Sequence, residues 1–322
     1  MHTLLDPAIL FFVFGVLAGM LRSNLQIPAP ISRFLSLYLL MALGLKGGFA
    51  LAHSGLTLEV AGTLGIAVLL AIVVPLLGYP LLRRLLNGYD ATALAATYGS
   101  VSAVTFITTI QFLENQHIAY GGHMAAAMAL MESPAIIMAV LMANRLRQQA
   151  GQTEDGHTPT PLGKILHESF TDGAQLLLLG AMLIGLLTGE AGKAAMAPFS
   201  VDLFKGMLAF FLLDMGLMTA RNLGGLKGKS PWLLAYAILA PLAHAALALG
   251  LASLAGASAG NAALLMALAA SASYIAVPAV LREAIPEASP SLYFGMSLGL
   301  TFPFNILLGI PLYVGVAQAV LG

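Results

Sequence analysis

Long apolar runs separated by short polar connectors dominate the chain from residue 7 to residue 320. A helix rises about 1.5 Å per residue, so about 20 apolar residues cross a bilayer. On that measure spans are expected at 7–22, 32–52, 57–86, 91–115, 118–146, 165–188, 200–220, 231–255, 260–284 and 291–320. The third and the last are long enough to hold a break or a strong tilt. Connectors fall at 22–30, 86–90, 189–198, 221–230 and 283–290. The one long hydrophilic stretch, 145–164, reads as a flexible linker between two halves. The expected organisation is a first half over 1–148 holding spans 1–5, a linker over 149–164, and a second half over 165–322 holding spans 6–10.

Composition narrows the class. Of 322 residues, 59% are hydrophobic and 9% charged, and the mean hydropathy is +0.90. A globular protein carries about 25% charge, so a soluble enzyme and a disordered chain are excluded. Fourteen basic residues balance fourteen acidic ones, leaving no basic field for a nucleic acid. With no cysteine there is no disulfide, cysteine zinc site or thiol nucleophile. Thirty-four glycines and 16 prolines in so apolar a chain suit membrane helices. The N-terminus lacks the basic region of a cleavable signal peptide, so the first span is expected to stay.

The positive-inside rule orients the spans. With both termini outside and the linker in the cytoplasm, the inner ends carry Arg22, Arg33, Arg83, Arg84, Arg145, Arg147, Lys164, Arg221, Lys227, Lys229 and Arg282. Only Lys46, Lys193 and Lys205 fall outside; Lys46 is expected to snorkel outward. The expected setting is the cell inner (plasma) membrane.

Five spans on each side of the linker make the two halves inverted repeats, and weak internal similarity supports this. Leu40-Met41-Ala42-Leu43-Gly44-Leu45 echoes Leu212-Leu213-Asp214-Met215-Gly216-Leu217. Ala119-Tyr120-Gly121-Gly122-His123-Met124 resembles Leu292-Tyr293-Phe294-Gly295-Met296, and the segment from Ala95 matches that from Met266. The offsets cluster at 171–173 residues. The fold class expected is therefore an all-α polytopic membrane protein of ten helices in two inverted five-helix repeats. Secondary transporters are built this way, with helices interrupted near the midplane. Spans 4 and 9 each carry a hydroxyl-rich patch at mid-depth, 99–105 and 271–278. Both are expected to break, near 99–103 and 273–278, with Gly99 and Pro278 as the unwinding points, and to cross. Small residues also serve helix packing, but patches at matching places in two halves point to a site. Half-helix N-termini there would attract a small anion, and hydroxyl and carbonyl oxygens would suit sodium.

Ionisable residues inside a membrane cost roughly 2.5–3.5 kcal/mol on insertion scales and mark function by default. Glu132, Asp214 and His244 are the candidates, either for a proton relay or for structural pairing. Glu114, His117 and His123 read as solvated helix ends. An intramembrane serine protease needs a nucleophile turn and a histidine partner, and Gly99-Ser100 lacks that context. A channel needs a symmetric pore, against which the inverted repeat argues, and a receptor has no need of matched breaks. No Walker motif is present.

At these residues the chain resembles the sodium-dependent bicarbonate transporters of the SbtA type, over nearly its whole length. The family's IGLTGG is similar to Leu43-Gly44-Leu45-Lys46-Gly47-Gly48, its GAVSGST to 99–105, and its DIPA to Glu132-Ser133-Pro134-Ala135. APFIH resembles Ala240-Pro241-Leu242-Ala243-His244, and PPTLRAGIPSANPSAY resembles 278–293. The resemblance implies a fold like the bile-acid symporters, a homotrimer, an elevator-like movement of spans 4, 5, 9 and 10, and a PII-like cytoplasmic regulator. Carried across, Gly99, Ser100, Val101, Ser102, Ala103, Ser273, Tyr274 and Ile275 would line the anion pocket. Ser102, Thr105, Ser271 and Ala272 would sit near the cation, with sodium as the coupling ion and no other cofactor. After Ala270-Ser271 the family reads Asn-Ser-Asp-Ile-Ser-Gly where this chain reads Ala272-Ser273-Tyr274-Ile275-Ala276-Val277. Tyr274 thus stands where the family places an acid, which weakens the cation site and narrows the pocket. The expected function is import of a small anion, sodium with bicarbonate first, and another small anion or carboxylate with proton coupling second.

Overall fold

A computed structural model of the chain describes residues 6–55, 57–149 and 173–322. The described residues are helical between short connectors, with no strand among them. The expected linker and the beginning of the sixth span, over 150–172, lie outside the described residues. Helix α1 spans Pro7–Met20, α2 Ala29–Ser54, α3 Leu58–Leu82, α4 Gly88–Gly99, α5 Ala103–Asn115 and α6 Met124–Gln149. In the second half, α7 spans Gly173–Ala197, α8 Phe204–Asn222, α9 Pro231–Leu254, α10 Ala259–Ala269 and α11 Ala276–Ala284. The last helix, α12, covers Pro290–Leu321.

Local chemistry fixes the starts. Asp6 accepts from the Ala8 amide at 2.8 Å in front of Pro7, and Asn87 accepts from Asp90 at 2.9 Å ahead of α4. Each satisfies an amide that the first helical turn leaves without a partner. Within α12 the regular ladder loosens into π-turns at Gly295–Thr301 and Asn305–Gly309, a local geometry that often accompanies function.

Among the described residues seven helical stretches are long and apolar enough to cross a bilayer, where the sequence pattern predicts ten spans. The difference has physical causes. Pro7–Met20 covers only about 21 Å. Ala259–Ala269 is one half of an interrupted helix. The stretch Gly173–Leu226 counts once because α7 continues through a π-turn at Pro198–Asp202 into α8, with a kink at Gly189 (φ 54°). The chain is a multi-pass membrane protein.

Helix pairing is reciprocal between the halves. The first helix packs along α8, and α2 packs along α7. The remaining helices pair as α3 with α4 and α6, and α9 with α10 and α12. Glycines let the first two pairs approach backbone to backbone. A Cβ at Gly216 would lie 2.2 Å from the Phe12 carbonyl oxygen, and one at Gly48 only 2.1 Å from that of Met182. Such contacts replace hydrophobic driving force, which lipid tails cannot supply between helices.

Gly216→Val is expected to force α1 from α8 and destabilise the fold by at least about 1–3 kcal/mol. Gly250→Val, at a position with no neighbour within 4 Å, leaves the melting temperature unchanged. Thermal unfolding of both variants in detergent checks this.

Candidate functional site

Helices α4 and α10 both stop inside the protein, and their continuations resume a few residues later. Ser100 takes an extended conformation (φ −101°, ψ −177°) after Gly99, and Ser102 caps α5 by accepting from the Thr105 amide at 3.1 Å. The second break runs over 270–275, between α10 and α11. It lies earlier than the expected 273–278: Pro278 falls in the first turn of α11, where its missing N–H leaves no bond unmade. Gly99 does sit at its break, packed so closely that a Cβ would lie 2.5 Å from Pro75.

The two breaks meet and bond to one another. The Ser273 amide donates to the Thr97 carbonyl at 2.8 Å, and the Ser102 amide donates to Ser271 Oγ at 2.9 Å. Ser271 donates in turn to the Leu268 carbonyl at 2.8 Å, at the frayed end of α10. Ser273 Oγ accepts from the Val277 amide at 3.2 Å and so serves the first turn of α11. The π-turns of α12 brace this junction. Asn305 donates to the Ala270 carbonyl and accepts from the Tyr313 hydroxyl, both at 2.8 Å. Thr301 bonds the Tyr98 hydroxyl at 2.6 Å and donates to the Ala237 carbonyl at 2.7 Å.

A cavity of about 200 Å³ opens against this junction. Val101, Ser102, Ala103, Ser273, Tyr274 and Ile275, six of the eight expected anion-pocket residues, line it. Gly99 and Ser100 stand back from it, Ser100 Oγ lying 3.5 Å from the Glu132 carbonyl. Tyr274 is buried with its ring edge-on to Phe302 at 5.2 Å. Its hydroxyl accepts from Ser102 Oγ at 3.2 Å, which leaves the phenol proton for a ligand. Of the expected cation residues, Ser102, Ser271 and Ala272 gather at the junction as buried groups, and the buried Thr105 Oγ1 has no hydrogen-bond partner. Among the described residues no three acidic or histidine side chains converge on a metal position; the groups gathered at the junction itself are hydroxyl and backbone oxygens, with the Glu132 carboxylate on the cavity wall.

The three intramembrane ionisable residues separate. Glu132 lines the cavity, and Gln175 donates to its Oε2 at 2.9 Å across from α7. Asp214 lies away from it, buried against α2, where it accepts from the Ser32 hydroxyl. His244 is buried in α9 beside the Ala269 carbonyl at the end of α10, with Nδ1 unpartnered. Sequence reasoning missed Ser36 and Gln175 in the lining and Asn305 behind it. The last two are amides inside apolar runs, the same signal that picks out ionisable residues. Lys46 and Glu114, expected to reach solvent separately, form a salt bridge at 3.1 Å instead, because both are partly covered and each needs the other's charge.

The profile of the Na+-dependent bicarbonate transporter superfamily matches residues 7–318. The chain belongs to that superfamily. This membership and the membrane-helical architecture make it a transporter and not an enzyme. No curated protein matches the chain.

Asn305→Ala would strand the Ala270 carbonyl and the Tyr313 hydroxyl in a buried place. A loss of about 1–3 kcal/mol per stranded group is expected, read as a lower melting temperature in detergent.

Proposed function

We propose that this chain is a secondary transporter importing a small anion, with sodium-coupled bicarbonate uptake as its activity. The observation that carries the reading is the convergence of two helix beginnings on one cavity. Ala103 and Ala276, the first residues of α5 and α11, both line it. Each helix N-terminus presents roughly half an elementary positive charge, and two of them facing one pocket suit an anion without any basic side chain. Superfamily membership supports bicarbonate and sodium. The orphan hydroxyl of Thr105 beside the junction supports a hard cation bound by neutral oxygens. A neutral ligand set without the family's acid gives weak sodium affinity.

The architecture we propose is ten spans in two inverted repeats of five, with α4–α5 and α10–α11 as the interrupted fourth and ninth spans. The reciprocal pairing of α1 with α8 and α2 with α7 supports it, as does the matching of α3–α4 with α9–α10. Both termini lie outside the cytoplasmic (inner) membrane, since the basic residues cluster at the opposite ends. The cavity lies between the helix pair α2–α7 and the interrupted helices, where an elevator-like displacement of the latter would carry the ligand. A homotrimer and a PII-like regulator enter on the family resemblance alone.

One observation favours a second reading. Glu132 brings a carboxylate to the cavity wall, and an anion beside it needs a compensating sodium ion or proton. A proton-coupled carboxylate transporter would use Glu132 in that way.

Uptake of labelled bicarbonate and of labelled small carboxylates into proteoliposomes, driven by sodium, potassium or proton gradients, separates the two. Sodium-driven uptake is expected for the wild type. Tyr274→Phe removes the phenol proton and is expected to weaken apparent anion affinity by roughly 1–3 kcal/mol. Tyr274→Asp with Ala276→Ser is expected to strengthen sodium dependence. Uptake driven by protons and indifferent to sodium would replace the first reading with the second.

A further inference from the structure

A second cavity, also of about 200 Å³, lies between α2 and the beginning of α6. Leu43, Lys46, Gly47 and Ala50 of α2 form one wall, and Tyr120, Gly122 and Met124 form part of the other. The wall on α2 continues directly into the first cavity through Leu40 and Ser36, one helical face stepping by three or four residues. On α6 the same continuity runs from Met124 and Ala125 through Met128 to Glu132. The two cavities are therefore stacked along one seam, and Leu40, Leu43, Met124 and Met128 pack in one apolar cluster between them. That partition is made of flexible side chains, methionine above all, which repack readily. Across the seam Gly47 and Gly122 touch backbone to backbone: a Cβ at Gly122 would lie 2.3 Å from the Gly47 carbonyl oxygen.

Among the described residues the first cavity has no Lys, Arg or His in its lining, and Lys46 is the one cation that lines either. Its ammonium lies 3.1 and 3.4 Å from the two oxygens of Glu114 and 4.2 Å from the centre of the Phe204 ring, and its side chain is only 18% exposed. Glu114, at the end of α5, is 32% exposed and also accepts from the Tyr120 hydroxyl at 2.9 Å. A mostly covered ammonium held against an aromatic face and a carboxylate already presents the chemistry of an oxyanion site.

We propose that this second cavity is an outer binding site for the transported anion, with Lys46 as its charged ligand and Glu114 as the internal carboxylate that the anion displaces. The inference rests on the anion-transport reading above. An incoming anion with two oxygens on one carbon has the charge and shape of the Glu114 head group. Exchange then leaves the Lys46 charge compensated throughout, while Tyr120 retains the displaced carboxylate. The bound anion stands one flexible apolar layer from the cavity at the helix breaks. The site lies at the far end of α2 from Arg33, thirteen residues or about 20 Å away along the helix, on the side that receives the anion during import.

Bicarbonate titrations of sodium-driven uptake in proteoliposomes test this. Lys46→Gln is expected to raise KM about tenfold while the maximal rate stays within about twofold, as loss of one charge-assisted contact requires. Lys46→Arg, which keeps the charge, stays near the wild type. Glu114→Gln removes the competitor, keeps the size, and is expected to lower KM severalfold. A purely structural ion pair predicts otherwise: both neutral variants melt earlier, and KM is unmoved or moves in the same direction in both. That result overturns the proposal, and should Lys46→Gln fail to fold, an unchanged or raised KM in Glu114→Gln overturns it alone. A wild type that takes up no anion at all removes the transporter reading itself, and the outer site with it.

Discussion

Inside a bilayer a backbone amide or carbonyl that leaves its helix finds no water, and each unpaired group costs several kcal/mol. Two helices that stop within the protein must therefore satisfy one another, and the contact between the breaks at 100–102 and 270–275 does so. The amide of Ser102 goes to Ser271, that of Ser273 goes to Thr97, and Ser271 returns a bond to the end of α10. Asn305 closes the Ala270 carbonyl from behind. With those groups paired, the protein can keep irregular backbone at depth and aim two helix beginnings at one cavity. Every other feature of the site hangs on that exchange.

The surroundings divide into a braced side and a smooth side. Behind the junction, the hydroxyls and amides of Tyr98, Thr301, Asn305 and Tyr313 tie the breaks to α9 and α12. In front, the cavity faces α2 and α7 across a mostly apolar wall, crossed by the Gln175–Glu132 bond. Among the described residues the Lys46–Glu114 pair joins α2 to α5 beside that front, and the glycine contact between α2 and α6 adds bulk-free backbone to it. A hydrogen-bonded junction beside a mostly apolar wall suits the elevator-like displacement proposed above.

Much of this was legible in the residues. Hydropathy placed the apolar helices, and the paired patches of small and hydroxyl residues located both breaks to within a few positions. Pro278 misled by its chemistry: proline interrupts a helix, but it is equally at home in a first turn, and the true boundary is set by the Ser271 and Ser273 hydrogen bonds. Six of the eight residues named from the breaks and the family pattern line the cavity, whereas Gly99 packs on Pro75 and Ser100 reaches the Glu132 carbonyl. Gln175 carries the signal of a polar side chain inside an apolar run, but Ser36 carries none: its place in the site depends on α2 docking across from α6, a long-range contact that no local pattern encodes. Lys46 was read singly as snorkelling outward and Glu114 as a solvated helix end for the same reason: 68 residues separate them, and only the packing of α2 against α5 brings their charges together.

The absence of cysteine from the chain allows a direct probe of the cavity. Ile275 lines it and is 52% exposed, so a single Ile275→Cys offers one thiol at the meeting point of the breaks. A membrane-impermeant thiol reagent applied to proteoliposomes that carry out uptake is predicted to label this position. Bicarbonate together with sodium should slow the labelling, and neither should do so as well alone. Labelling of a transport-active Ile275→Cys protein that proceeds at one rate whatever anion or cation is present would contradict a substrate site at the helix breaks.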